Sequence, residues 1–279
     1  MNPTDIDHLR TWIGRSESAT EVLSPVPGEC LAATLSLPPQ THPQGILPPL
    51  WSWIHFPDRT PSDRLGPDGS PTGNPLRPPV PLPQVMWAGA ELEFLAPMKT
   101  GVETRKTSSV ADMTFKTGSR GDMVFVTYEH RYEQEGRCVM VELNRGVYLG
   151  PSDGVAKAHQ PPPAAREKRW LVNEAVLFRY SALTFNSHRI HYDVRYTTEV
   201  GGYNALVVHG PLQATLLAET FRAWHPDKTV KRLALRARAP LYLTGEVTVC
   251  GGEPDGDTHT LWTLTPEGGT AMECVVTAG

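Results

Sequence analysis

Strand-like segments occur in two sets along the chain, and a proline-rich stretch separates the two sets. The first set comprises residues 86–95, 104–117, 123–132 and 137–148, and the second comprises residues 229–239, 246–250, 258–265 and 271–277. Runs such as MVFVTYEHRY alternate apolar with polar residues, and this period of two is typical of a sheet with one buried face. The pattern predicts an antiparallel sheet in each half of the chain.

A strand candidate and a helical segment precede the four strands of each half. The strand candidates are residues 29–37 and 170–178. In the first half a short apolar segment follows, residues 46–56 (ILPPLWSWIHF), where Trp51 and Ile54 have helical spacing. The order of elements is therefore the same in both halves, which indicates a repeated structural unit.

The helix of the second half has clear limits in the sequence. Gly210 is the predicted N-cap, and Pro211 takes the first helical position, where the missing N–H costs nothing. One predicted buried face then follows at positions i, i+3, i+4 and i+7, made of Ala214, Leu217, Ala218 and Phe221. Pro226 ends the helix.

This repeated order favours an α+β fold of the double hot-dog type, in which each of two units wraps a curved antiparallel sheet around a helix. Residues 151–165 (PSDGVAKAHQPPPAA) cannot form a packed element and are the predicted linker. The predicted domains are residues 1–150 and residues 166–279. Residues 43–83 contain 12 of the 27 prolines, so we expect mostly irregular structure there.

The composition excludes several classes of function. A formal net charge of −4 argues against nucleic acid as the main ligand. No stretch approaches the ~20 apolar residues of a membrane span, and the acidic first 24 residues resemble neither a signal nor a transit peptide, so we expect a cytoplasmic protein. The four cysteines lie far apart without a CxxC pair, which predicts reduced thiols and no metal site.

The chemistry-bearing residues concentrate in the segment YSALTFNSHRIHYD, residues 180–193. Imidazole titrates near neutral pH, so a histidine beside a bound water can take and return its proton. The amide of Asn186 can orient that water, and Asp193 can hold a histidine in one tautomer. From the residues alone, a polar turn with two solvated histidines explains the segment equally well.

A second informative segment is LVVHGPL, residues 206–212, at the start of the predicted helix. The first N–H groups of a helix are free and carry a partial positive charge. Because Gly210 has no side chain, a thioester oxygen can approach these donors closely, and such donors stabilise an enolate-like oxygen. A plain glycine N-cap is the alternative interpretation of this segment.

Together the two segments resemble the MaoC-like hydratase/dehydratase family, also called hydratase 2. Its signature reads Gly-Asp-x-Asn-Pro-x-His, followed by His-Gly at the start of the hot-dog helix. Here Phe185 falls at the glycine, Asn186 at the catalytic aspartate and His191 at the catalytic histidine, while His209 and Gly210 match the His-Gly pair. The resemblance implies that His191, Asn186 and Gly210 are catalytic.

The variant form TFNSHRIHYD resembles one branch of this family, which contains the hydroxyacyl-thioester dehydratase type 2 enzymes and hydratases of mesaconyl-C4-CoA (3-methylfumaryl-CoA) and itaconyl-CoA. Residues 169–223 carry the resemblance clearly and residues 47–142 carry it in outline. It implies reversible hydration of a branched C5 dicarboxylic enoyl-CoA to citramalyl-CoA, without a cofactor beyond the CoA of the substrate. Assembly as a homodimer is an open option.

The first half lacks a His-Gly pair, so the resemblance implies one catalytic site, in the C-terminal half, and a degenerate N-terminal half. We expect the first half to shape the acyl pocket. The candidate residues that line its wall are Trp51, Trp53 and Trp87. A free substrate carboxylate needs a cation, and arginine offers a two-point contact. The predicted substrate-binding residues are those near the signature: Arg189, Arg179, His188, His209 and Asp193.

Three other functions remain open from the sequence. One is a 3-hydroxyacyl-thioester dehydratase for unbranched fatty acyl chains. A second is a hot-dog thioesterase, although that class usually relies on a carboxylate. The third is a protein that binds acyl-CoA without catalysis.

Overall fold

The computed structural model describes residues 3–38, 45–118, 121–150 and 159–279. The helices are α1 (Pro3–Arg10), α2 (Val26–Thr34), α3 (Glu174–Leu183), α4 (Val194–Glu199) and α5 (Gly210–Trp224). The strands are β1 (Ser16–Val22), β2 (Gln84–Phe94), β3 (Glu103–Gly118), β4 (Gly121–Gln134), β5 (Arg137–Leu149), β6 (Arg166–Val172), β7 (Val230–Ala237), β8 (Gly245–Gly251), β9 (Thr258–Leu264) and β10 (Thr270–Ala278). Short 3₁₀ turns occupy Trp51–Ile54, Ser62–Arg64 and Arg189–His191.

The strands form one ten-stranded sheet in the order β1-β3-β4-β5-β2-β7-β10-β9-β8-β6. Strands of the first half occupy one side of the β2–β7 pair, and strands of the second half occupy the other. All described pairs between neighbouring strands are antiparallel, including β2 with β7. The eight strands expected from the two alternating sets are therefore present, and the predicted α+β double hot-dog class is confirmed.

Two strand predictions are wrong in whole or in part. Residues 29–37 overlap the helix α2, because Pro25 and Pro27 start a helix and Leu31 and Thr34 are buried at a spacing of three. Residues 170–178 are a strand only as far as Val172. Asn173 then caps α3, since its side chain accepts the Val176 N–H at 3.1 Å.

Two helix predictions also need adjustment. The N-cap of α5 is His209, one residue earlier than expected, and Gly210 is the first helical residue. In the first half, the helical spacing of residues 46–56 produces a single 3₁₀ turn, Trp51–Ile54. The first half therefore has no described counterpart of the 15-residue helix α5.

One hydrophobic core spans the two halves. It contains Leu31, Trp51 and Leu92 of the first half together with Leu217 and Phe221 of α5. Of the predicted linker, residues 159–165 have no regular structure, and residues 151–158 lie outside the described residues. No described helix has both the length and the apolar character needed to cross a membrane.

Candidate active site

The signature segment begins with the end of α3, which closes in a Schellman motif. Phe185 has a positive φ of 53°, and the Asn186 N–H donates to the Ser181 carbonyl at 2.8 Å. Glycine adopts this left-handed conformation without a Cβ penalty, which is a physical reason for glycine at this signature position. The motif turns the chain sharply and places Asn186 at the start of the site.

Asn186 is oriented by its own loop. Its side-chain oxygen accepts the His188 backbone N–H at 2.9 Å, which identifies that atom as Oδ1 rather than nitrogen. The amide nitrogen makes no described hydrogen bond, and Asn186 lines a cavity of about 270 Å³. Asn186 therefore presents a hydrogen-bond donor, suited to hold the oxygen of a water molecule.

His191 is held in one tautomer by a backbone carbonyl. Its Nδ1 lies 2.7 Å from the Val207 carbonyl oxygen, which can only accept, so Nδ1 carries the proton and Nε2 keeps a free lone pair. Burial lowers the pKa of His191 to about 4, the Val207 bond opposes this shift, and the neighbouring His188 adds to it. His191 is therefore neutral at pH 7 and able to accept a proton.

The ring of His209 packs against the ring of His191. The two imidazoles are stacked, with centroids 3.6 Å apart and 19° between their planes. His209 is fully buried, its Nε2 lies 2.8 Å from the Ser181 hydroxyl, and its Nδ1 has no partner among the described residues. Burial holds the pKa of His209 well below its usual value, and the neighbouring His191 lowers it further. The sequence predicts that His209 binds substrate, but its contacts are those of a residue that positions the ring of His191.

Gly210 begins α5 directly beside this pair, at a point where a side chain does not fit. An added Cβ would lie 2.9 Å from Cε3 of Trp87. The Gly210 N–H has no acceptor within the helix because of its position, and Pro211 has no N–H. Pro211 lines the same cavity as Asn186, so the start of α5 and the Asn186 amide border one space.

The irregular proline-rich region of the first half contributes a loop that sequence analysis missed. Residues 67–70 lie against the signature segment, where the Arg189 N–H donates to the Asp68 carbonyl at 2.8 Å. The Ser187 hydroxyl donates to the Gly69 carbonyl at 2.6 Å. Gly69 has a φ of +83°, and an added Cβ would meet the Ser187 carbonyl oxygen. The sequence PDGS indicates a turn but not its docking partner.

His188 pairs with this loop rather than facing open solvent. Its Nε2 lies 3.3 Å from Oδ2 of Asp68. Burial lowers the pKa of His188, while Asp68 opposes the shift. Burial raises the pKa of Asp68, but hydrogen bonds from Ser70 and the charge of His188 outweigh it and hold that pKa below its usual value. His188 therefore joins the catalytic segment to the first half.

Arg189 and Asp193, both expected at the substrate, are paired with each other. The Asp193 Oδ2 accepts from Nε of Arg189 at 3.1 Å and from Nη2 at 2.7 Å, and Nη1 donates to the Pro67 carbonyl at 2.9 Å. Asp193 also caps α4 by accepting the Tyr196 N–H at 3.0 Å. These contacts favour structural roles, and Val207 rather than Asp193 sets the tautomer of His191.

Arg179 stands apart from the other predicted site residues. It is exposed on α3 and has no ion pair among the described residues. Of the three candidate wall tryptophans, Trp53 and Trp87 line the cavity of Asn186 and form an edge-to-face pair with centroids 6.1 Å apart. Trp51 instead lies in the core, where its Nε1 donates to Glu219 at 3.0 Å.

Sequence analysis also missed four ionisable side chains of the first half that line this cavity, His55, Lys106, His130 and Glu142. For one of them, Lys106, the sequence does contain a signal. Lys106 shares the strand alternation of Thr104, Ser108 and Val110, which are all buried. A charge at an inward position of a strand is expensive to bury, so it points to a ligand or an ion pair.

Comparisons of the sequence show the family of this chain. The family model for hydroxyacyl-thioester dehydratase type 2 matches residues 50–243. A mesaconyl-C(4)-CoA hydratase from Chloroflexus aurantiacus is 37% identical over 275 residues, which cover 96% of this chain and 97% of the relative. The mitochondrial hydroxyacyl-thioester dehydratase type 2 of Schizosaccharomyces pombe is 38% identical over 89 residues, which cover 31% of this chain and 28% of that protein.

Solved structures resemble the fold. A MaoC-like dehydratase from Phytophthora capsici superposes with a TM-score of 0.71 at 13% identity, covering 97% of each chain. A Mycobacterium tuberculosis protein with a double hot-dog fold gives a TM-score of 0.58 at 12% identity, covering 95% of this chain and 96% of that one. At these identities the likeness concerns the fold alone.

Proposed function

The chain belongs to the hydroxyacyl-thioester dehydratase type 2 family, and from this premise we propose that it reversibly hydrates a branched C5 dicarboxylic enoyl-CoA. The proposed substrates are mesaconyl-C4-CoA or itaconyl-CoA, and the product is citramalyl-CoA. The observation that carries the chemistry is the bond from His191 Nδ1 to the Val207 carbonyl, because it leaves Nε2 free as a base. The relative from Chloroflexus aurantiacus, a mesaconyl-C(4)-CoA hydratase, supports the substrate class.

In the hydration of mesaconyl-C4-CoA, the amide nitrogen of Asn186 holds a water, and Nε2 of His191 takes one of its protons. The oxygen attacks the β-carbon, and electron density moves onto the thioester oxygen. The Gly210 N–H at the start of α5 stabilises that oxygen, and such a donor is typically worth about 10²–10³ in rate. The protonated His191, or a water, then delivers a proton to the α-carbon, which completes the addition of water.

The low pKa of His191 suits both proton uptake and proton release in this scheme. A ring that is neutral at pH 7 is ready to accept the proton, and its buried conjugate acid gives the proton up readily. His209 and Ser181 keep the ring in place and touch no reacting atom in this scheme. They are therefore positioning residues.

The test compares crotonyl-CoA, mesaconyl-C4-CoA and itaconyl-CoA with wild-type protein and His191→Ala. We expect loss of enoyl-thioester absorbance without free thiol, faster with the dicarboxylic substrates, and a decrease of about 10²–10⁴ in His191→Ala. Release of free thiol would indicate a thioesterase, and binding without reaction would indicate a non-catalytic protein. More than about a tenth of the wild-type rate in His191→Ala would contradict the base role.

The family model supports a second candidate, a 3-hydroxyacyl-thioester dehydratase for unbranched chains. A preference of the wild type for crotonyl-CoA or longer enoyl-CoA substrates would favour that candidate over the dicarboxylate. Cytoplasmic location and homodimer assembly, both raised by the sequence, stay predictions, and size-exclusion chromatography with light scattering tests the second.

A further inference from the structure

The cavity of Asn186 adjoins a larger one in the first half, because the two share lining residues. The small cavity has a volume of about 270 Å³ and the large one about 770 Å³. Four residues line both, namely Phe56, Lys106, His130 and Asn144. A substrate that reaches Asn186 through the large cavity therefore passes Lys106.

Lys106 is a partly buried cation without a direct acceptor. Its ammonium lies 5.6 Å from the ring centroid of Tyr132 and 5.9 Å from that of Phe56. Among the described residues it makes no hydrogen bond and no ion pair. Burial lowers the pKa of Lys106, while the charges of Glu142 and Glu17 oppose the shift. A desolvated ammonium that keeps free N–H donors is suited to an anionic ligand.

Glu142 is a buried carboxylate whose charge acts on Lys106, but among the described residues the two form no ion pair. Glu142 accepts from Trp53 Nε1 and Asn144 Nδ2, each at 3.0 Å to Oε1, and from the Tyr132 hydroxyl at 3.3 Å to Oε2. These three neutral donors hold the carboxylate in place. Glu142 thus supports the charge of Lys106 from a distance and leaves the ammonium available to a ligand.

His130 adds a polar but uncharged group to the same wall. Burial lowers the pKa of His130 to about 4, and the charge of Lys106 also lowers it, while Glu142 opposes the shift. Its Nδ1 lies 2.8 Å from the Ser108 hydroxyl. If that hydroxyl donates, the ring proton is on Nε2, as a further donor for an anion. The cation of this wall is therefore Lys106.

We infer that Lys106 binds the free carboxylate of the acyl group and so selects dicarboxylic over monocarboxylic enoyl-CoA substrates. This inference rests on the proposed function. In mesaconyl-C4-CoA the free carboxylate is attached to the β-carbon that the water attacks, so its cation must border the same small cavity as Asn186. Lys106 does so, whereas Arg189 is occupied by Asp193 and Pro67.

The test measures kcat/KM for mesaconyl-C4-CoA and for crotonyl-CoA in four proteins: wild type, Lys106→Met, Lys106→Arg and Lys116→Met. Lys116 is the matched control, because it is a lysine of the same strand that is exposed over the ring of Phe125, outside both cavities. We expect Lys106→Met to lower the value for mesaconyl-C4-CoA about 10- to 100-fold more than the value for crotonyl-CoA. Lys106→Arg should keep most of the preference, and Lys116→Met should keep all of it.

An equal decrease for both substrates in Lys106→Met would overturn the inference, because it would indicate a contact with the CoA phosphates or a structural role. A wild type without any preference for the dicarboxylic substrate would overturn it too. A wild type that hydrates neither substrate would instead refute the proposed function itself. Should Lys106→Met lose its thermal melting transition, Lys106→Gln, which removes the charge and keeps a polar chain, replaces it in the same comparison.

Discussion

Two neighbours and burial set the tautomer, the orientation and the charge of the His191 ring. The Val207 carbonyl fixes the proton on Nδ1, the stacked His209 sets the plane of the ring, and burial keeps it neutral. The orienting partner is a backbone carbonyl, which mutation of a side chain does not remove. For this reason the tautomer of His191 depends on the fold of residues 206–209 rather than on an acidic residue.

The pH dependence of kcat/KM follows from the low pKa of His191. Protonation removes the base, so activity is full above the pKa and is lost as the pH falls through about 4. A solvated histidine would already show half-maximal activity near pH ~6.5. Initial rates from pH 4 to 8, with circular dichroism at each pH as the folding control, check this expectation. A midpoint near 6.5 would contradict it.

Asn186 has two tasks, and two substitutions separate them. Asn186→Asp keeps an oxygen that accepts the His188 N–H and holds the turn, but replaces the amide donor. Asn186→Ala loses both. We therefore expect the aspartate variant to keep more activity than the alanine variant, in hydration assays with mesaconyl-C4-CoA. If the aspartate variant is the slower of the two, the added charge disturbs the site more than loss of the His188 contact does, and the turn-holding task of Asn186 is wrong.

At the scale of elements, the signature segment is positioned by a loop from the other half of the chain. Hydrogen bonds to Asp68 and Gly69 connect the loop to Ser187, His188 and Arg189. At this contact neither segment belongs to an α-helix or a strand, so each depends on the other for its conformation. The base and the amide are held by this mutual contact as well as by α3 and α5.

Gly69→Ala tests this loop contact. The new Cβ would overlap the Ser187 carbonyl oxygen, so the loops must separate, and we expect a decrease of at least tenfold in kcat/KM, since small displacements at a site cost up to ~10² in rate. Gly136→Ala is the control, with a similar φ of +75° and no atom near the new Cβ. It should cost about 1–2 kcal/mol of stability and keep the activity. Equal activity in the two variants would refute the positioning role of the loop.

At the scale of the whole molecule, the two halves share a sheet, a core and the site. The β2–β7 pair joins the sheet, and a bulge in β2 between Trp87 and Gly89 lies at this join. Bulges re-aim the neighbouring side chains, and here Trp87 packs on Gly210. The first half thus contributes Trp87 to the wall of the candidate site.

Gly89→Ala tests the joint between the halves. Gly89 has a φ of +143°, and its Cβ would overlap the Leu235 carbonyl oxygen of β7. We expect urea unfolding to show a loss of about 3 kcal/mol, because the strands must move apart. Gly146→Ala on the other side of β2 meets nothing closer than 3.9 Å and should change stability by less than about 1 kcal/mol. Similar effects of the two substitutions would indicate that β2 and β7 tolerate separation.

Local patterns in the sequence determined the eight paired strands and the helix α5, and the resemblance to the MaoC-like family made His191, Asn186 and Gly210 catalytic candidates. Strand alternation and helix-start residues are local signals, so they can be read without knowledge of the fold. The same local reading failed at residues 29–37 and at 173–178, because short apolar runs suit a helix or a strand equally well.

Only the tertiary structure decided which polar groups meet. The Val207 carbonyl, the Asp68 loop and Lys106 lie 16, 123 and 85 positions from His191 in the chain, respectively, and no local pattern connects them to it. The structure also showed that Arg189 is paired with Asp193, which the charges alone left open. Contacts between distant segments depend on strand order and loop docking, and these are set by packing across the whole sheet rather than by neighbouring residues.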